Sequence, residues 1–159
     1  MRESKPVIGI PSWKWKQELL RYAQKHPHII KMSPKLLCHE CSRHFEILRM
    51  FDSVNTDYKN TEYYKFAINN NRKEKSILKR IGKFRNLYDS IKNGGCNVPP
   101  IITDDGCRLD GSHRSSIIIH IGTARTRVNM VRYEQLFNND KSAKIRKQVL
   151  EYRKRVYNL

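Results

Sequence analysis

Between Pro99 and Gly122 an apolar run, a tight turn and a second apolar run follow one another with little spacer. Pro99-Pro100-Ile101-Ile102-Thr103 reads as a strand, and Asp104-Asp105-Gly106 as an acidic, hairpin-like turn. Asp110-Gly111-Ser112-His113-Arg114 then stands at the start of a helix carrying Ser115-Ser116-Ile117-Ile118-Ile119-His120-Ile121-Gly122. A chain organised around this unit must contain both strand and helix. Backbone N–H groups at a helix start point outward, and the helix dipole adds partial positive charge there. A glycine, small hydroxyls, a histidine and an arginine at that place form a cradle for an oxyanion. Arg114 would fork onto a phosphate, and His113 would donate to it or move a proton. The bland alternative is a turn whose Asp110 and Ser112 merely cap a helix.

Residues 117–121 pose a conflict, because Ile-Ile-Ile-His-Ile has the propensity of a buried strand. The reading adopted is helix, since Gly122 stops the segment and a new strand signal begins at Val128 and Met130. Elsewhere, Ser12 opens a helix from Trp13 to about Gln24, with Trp13, Leu19, Leu20 and Ala23 as its apolar contributors. His28 to Met32 is a strand. Ser33-Pro34 starts a helix running to about Phe51, with Leu37, Cys41, Phe45 and Leu48 on one stripe. Asn55 to Thr61 is loop, and Glu62 to Ile68 is either helix or strand. Ile77, Ile81, Phe84, Tyr88 and Ile91 mark the strongest helix, Glu74 to Lys92, which Gly94 would end in a left-handed stop. Ser142 would cap a last helix with Ile145, Val149, Tyr152 and Val156 inward and Lys144, Lys147, Arg153, Lys154 and Arg155 outward.

The order of these pieces is informative. Phe84 to Gly95, with Leu87, Ser90, Ile91 and Gly95, leads to Val98-Pro99-Pro100-Ile101-Ile102, then to D-G-S-H-R at 110–114, then to Val128-Asn129-Met130-Val131. This succession resembles the ParB/sulfiredoxin superfamily over roughly residues 76 to 133. The resemblance implies an α+β fold, a small mixed sheet packed with helices. Residues 1–72 would be an N-terminal helical elaboration contributing to the core. Residues 73–159 would form the nucleotide-binding core with a basic C-terminal helix.

In that superfamily the turn binds nucleotide phosphates, and the histidine-containing D-G-x-H-R form most resembles the branch that phosphorylates small molecules. The resemblance therefore implies an ATP-dependent kinase acting on a hydroxyl of a small molecule or sugar, with Mg²⁺. Gly111, Ser112, His113, Arg114 and Ser115 would hold the phosphates. Asp110 and His113 would be catalytic, with Asp110 a magnesium ligand, a base or a cap. Sulfiredoxin carries G-G-C-H-R at this turn. Ser112 stands where its nucleophilic cysteine would be, and Cys107 is no obvious substitute, so thiol chemistry is not expected. The partition proteins carry G-E-R-R and a following helix-turn-helix domain, whereas here one basic helix follows residue 134.

Charge widens the partner list. The chain of 159 residues has a formal net charge of +17, spread along its length. Such a field favours anionic partners, and the alternative to the kinase is a nucleic-acid-binding or nuclease-like member of the same superfamily. A third reading is a degenerate fold that binds a protein and no nucleotide. No run approaches the roughly 18 apolar residues of a membrane span, and Met1 to Lys16 lacks a signal core. Four cysteines fit a reducing compartment, so a cytoplasmic location is expected.

Three further groups deserve naming. Cys38-His39-Glu40-Cys41 with His44 looks like a zinc half-site, although Cys41 also lies on an apolar stripe. Glu46, Asp52, Asp57, Glu62 and Asp89 are candidate bases for an acceptor hydroxyl. Tyr58, Tyr63, Tyr64 and Phe66 interleave with Lys59, Lys65 and Arg72, a pattern that stacks bases or simply packs a helix.

Overall fold

In the computed structural model, residues 7–37 and 42–157 are described, so the Cys38–Cys41 half of the zinc reading lies outside the described residues. In chain order the elements are β1 (Ile8–Gly9), α1 (Lys14–Lys25), β2 (Ile29–Met32), α2 (Ser42–Asp52), α3 (Glu62–Asn69), α4 (Glu74–Gly94), β3 (Ile101–Thr103), β4 (Cys107–Asp110), α5 (Ser112–Ile121), β5 (Thr126–Val131) and α6 (Asn139–Tyr157). Short 3-10 turns occupy Pro34–Leu36, Tyr58–Asn60 and Tyr133–Gln135. The class is α+β.

The sheet runs β1-β4-β3-β5-β2. β3 lies at its centre, antiparallel to β4 and parallel to β5. β1 pairs parallel with β4, and β2 antiparallel with β5. Period-two alternation sorts the strands between two layers of helix. Ile102 and Val128 join a core with Leu48, Ile81, Phe84 and Ile117, contributed by α2, α4 and α5. Ile101, Leu109 and Val131 join the opposite core with Leu19, Ile145 and Val149 of α1 and α6. β3 is therefore buried at all three positions, as a strand covered on both faces must be. The N-terminal segment supplies both edge strands of this sheet as well as helices.

α5 lies against α2 and α4. Ser115, Ser116, Ile117 and Ile118 are all buried. Burial on nearly every side explains why a β-branched run stays helical: tertiary contacts override a weak local preference.

Several local expectations need correction. The helix expected from Ser33 to Phe51 appears as a 3-10 turn and, from Ser42, as α2. Proline at its start permits the turn, and Leu37 already closes it with a bond to Pro34 O. Gly94 is the last residue of α4, and Gly95, at φ 77°, makes the left-handed exit. β4 follows the Asp104–Gly106 turn where no strand is expected from the sequence, and Cys107 is a buried strand residue. α6 begins three residues before Ser142, which is buried inside it. Arg153 turns inward, not outward, and donates to the carbonyls of Asp105 at 2.6 Å and Gly106 at 2.9 Å. Val156 is 48% exposed rather than inward. The Glu62–Ile68 ambiguity resolves to helix, capped by the Thr61 hydroxyl accepting from Tyr64 N.

Candidate anion-binding site

β4 ends at Asp110, the chain turns through Gly111, and α5 begins at Ser112. Gly111 has φ 96°, and a Cβ there would lie 3.0 Å from both Cα and Cβ of Pro100. Left-handed backbone and close approach together demand glycine. Gly111 O accepts from Ser115 N at 2.8 Å, so the Ser115 amide is spent within the helix. The amides of Ser112, His113 and Arg114 remain as the first-turn donors. The Ser115 side chain is fully buried, with no hydrogen-bond partner for Oγ, and does not reach the cavity described below.

Arg114 faces the protein. Its Nη2 donates to Asp110 Oδ2 at 2.6 Å, and its Nη1 to Val98 O at 2.8 Å and Pro99 O at 3.3 Å. The guanidinium thus fastens the lead-in to β3 onto the turn. Asp110 is held by the same pair.

His113 points the other way. Its ring stacks on His44, centroids 4.4 Å apart, and meets the edge of Phe84 at 4.5 Å. Its Nε2 lies 3.2 Å from the Tyr63 hydroxyl. Burial, reinforced by the charges of Arg80 and Arg108, lowers the His113 pKa to about 4. Burial, then His113, Arg108 and Arg43, lowers that of His44 to about 3. Both rings are neutral near pH 7. His44 Nδ1 sits 2.9 Å from Ser116 Oγ, which donates its own proton to Ser112 O at 3.0 Å. A hydroxyl has one proton, so Nδ1 is the donor in that pair and His44 Nε2 keeps its lone pair.

These groups border a cavity of about 220 Å³. Among the described residues its other polar lining comes from Arg43, Arg72, Arg80 and Ser112, and none of them is a carboxylate. The Arg43 guanidinium rests 3.5 Å above the Phe66 ring centre, which orients it without neutralising it. Guanidiniums from α2, the α3–α4 connection and α4 thus converge where the N-terminal turn of α5 also points.

The cavity suits an anion. Phosphate oxygens match guanidinium forks, amides and hydroxyls. Mg²⁺ takes carboxylate and phosphate oxygens. Asp110, the turn's one carboxylate, is bonded to Arg114 and stands outside the described lining, so a magnesium ion here would rely on the oxygens of a bound phosphate. No group of three His, Cys, Asp or Glu that could hold a metal occurs among the described residues. Cys107 is buried in β4, and desolvation pushes its thiol up to about 12.

The structure brings together His113, Ser112 and, from the aromatic set, Tyr63 and Phe66. Tyr58 and Tyr64 pack against the core instead. Of the candidate bases, none lines the cavity. Glu46 Oε2 accepts from Glu62 N at 2.8 Å, Asp57 from Asn60 at 2.5 Å, and Asp89 pairs with Arg85 at 3.5 Å. Asp52 binds His120 Nε2 at 2.6 Å and also accepts from Tyr88 and Lys92. Arg43, Arg80 and His44 as a partner of His113 were not legible as site residues. They lie on α2 and α4, far in sequence from the α5 turn, and only the net charge hinted at the arginines.

The sequence matches no protein-family model, no curated protein and no solved structure.

Proposed function

We propose that this chain is a ParB/sulfiredoxin-type phosphotransferase that holds the phosphates of a nucleotide such as ATP in the arginine-lined cavity and delivers a phosphoryl group to a hydroxyl of a small molecule or sugar. The supporting observation is the convergence of Arg43, Arg72 and Arg80 with the α5 N-terminus around a cavity whose described lining holds no carboxylate. Phosphoryl transfer depends on positioning and on neutralising charge at the transferred oxygens. Three guanidiniums supply both. The acceptor oxygen would attack phosphorus as the bond to the leaving diphosphate breaks. Its proton would pass to the neutral imidazole of His113, whose proton affinity rises when an anion binds beside it.

Calorimetry with ATP tests the binding half. Micromolar to millimolar binding that weakens about tenfold or more in Arg80→Ala, roughly 1.4 kcal/mol, supports the reading. No affinity for ATP or inorganic phosphate overturns it. The transfer half is tested by following phosphate into a panel of alcohols and sugars, with His113→Asn as the inactive control.

A second reading, nucleic-acid binding, is favoured by one observation besides the +17 charge. Lys75, Lys79 and Lys83 recur every fourth residue on α4, are all exposed, and flank Arg80 in sequence. Retention of single-stranded or duplex DNA that falls steeply with salt would favour it. No retention at low salt would eliminate it.

A further inference from the structure

The cavity has a neighbour. A second depression of about 210 Å³ is lined by Tyr63, Arg80, Lys83, Phe84, Leu87 and His113. Tyr63, Arg80 and His113 border both spaces, so these three form the partition between them. Two of its members, Tyr63 and His113, are in contact at 3.2 Å.

The two compartments differ in chemistry. The first adds Arg43, Arg72, His44 and Ser112 to the shared wall. Among the described residues the second adds Phe84 and Leu87, both apolar, and the ammonium of Lys83. Phe84 is almost wholly buried and forms its floor, while Leu87 is half-buried at its side. An apolar floor rimmed by Arg80 and Lys83 is poorly suited to a second phosphate, whose shell of water it could not replace. It suits a flat π-system, which buries a face on Leu87 and offers its negative face to the cations.

We propose that the second compartment receives the planar ring of the same phosphoester whose phosphate occupies the first, so that the site selects aryl- or heteroaryl-bearing phosphoesters over alkyl ones. The proposal rests on the phosphate reading of the first cavity. Arg80, shared by both spaces, would contact the phosphate with one edge of its guanidinium and the ring with its face.

The test compares methyl phosphate with phenyl phosphate by calorimetry, in the native chain and in Leu87→Asn and Arg72→Ala. Phenyl phosphate is expected to bind at least tenfold more tightly than methyl phosphate. Leu87→Asn should abolish that advantage and leave methyl phosphate affinity unchanged, whereas Arg72→Ala should weaken both. Saturation transfer from phenyl protons to the Leu87 methyl groups gives a reading independent of any substitution. Equal affinity of the two esters, or an advantage that survives Leu87→Asn, overturns the proposal while the phosphate reading stands. Failure of both esters to bind overturns the two together.

Discussion

Arg114 and Asp110, four residues apart across the start of α5, form an ion pair of 2.6 Å whose arginine also holds the carbonyls of Val98 and Pro99. The pair joins two strand ends before it can join a ligand. Arg114→Ala should therefore lower stability by roughly 1–3 kcal/mol, as expected when hydrogen-bonded carbonyls and a carboxylate lose a charged donor. Arg80→Ala, at an exposed position, should leave the melting temperature nearly unchanged and reduce phosphate affinity. Thermal melts alongside calorimetry check the contrast. A larger affinity loss for Arg114→Ala than for Arg80→Ala, with no loss of stability, would reverse the assignment.

Gly111→Ala should cost about 1–3 kcal/mol, because a non-glycine residue would be held in left-handed backbone. The added Cβ would also press on Pro100 at 3.0 Å. Denaturant unfolding measures the loss. The substitution should widen the β4–α5 turn and weaken anion binding as well.

His44 and His113 make stability depend on pH. Both folded-state pKa values, about 3 and about 4, lie below the ordinary 6.5. Between those limits the unfolded chain binds more protons than the folded one. Stability is therefore complete above about pH 6.5 and declines as pH falls toward 4, by a few kcal/mol in all. His44→Gln, which keeps an N–H for Ser116, should flatten this decline. Bound phosphate should also flatten it, since an anion favours the protonated rings. Melting temperatures from pH 7.5 to 4.5, with and without phosphate, provide the measurement. A flat profile in the native chain would contradict it.

Asp52 ties the C-terminal end of α2 to α4 and α5 through Tyr88, Lys92 and His120. Chiefly the Tyr88 hydroxyl, and then His120 and Lys92, hold its pKa down to about 2. Asp52→Asn should cost about 1 kcal/mol, a modest figure because the cluster is open to solvent. Amide exchange in the last turn of α2 should quicken, while phosphate affinity at the cavity, which Asp52 does not line, stays unchanged.

Arg153→Met keeps the packing volume near α6 but removes a buried cation from the carbonyls of Asp105 and Gly106. Gly106 O retains the amide of Ile8 at 2.8 Å, whereas Asp105 O loses its 2.6 Å donor. The expected cost is about 1–3 kcal/mol in equilibrium unfolding.

What was readable from sequence follows a physical division. Ile77, Ile81, Phe84, Tyr88 and Ile91 revealed α4 because their spacing is local, and Ile101-Ile102-Thr103 revealed β3 for the same reason. β1 and β4 did not show themselves: two and four residues carry too little periodicity, and their pairing joins Ile8 with Cys107. Arg153 read as a solvent residue because its charge is visible in sequence and its two carbonyl partners are not. In the turn, Gly111 and His113 were legible from their neighbours. The guanidiniums that turn His113 into part of a cavity come from Arg43 and Arg80, which only the fold brings together.

The order β1-β4-β3-β5-β2 has a consequence for how the chain assembles. Both strands made first on the ribosome end up at the rims, while the three that form the middle of the sheet are made after Gly95. Ile8 and Ile29 must wait, unzipped, until β4 and β5 emerge to receive them. α1 and α2 can coil early from local contacts, but the sheet closes from the centre outward and late. A nascent chain halted before Val131 would hold helices and no completed sheet, and the core on the α1 side closes only when α6 follows with Ile145 and Val149.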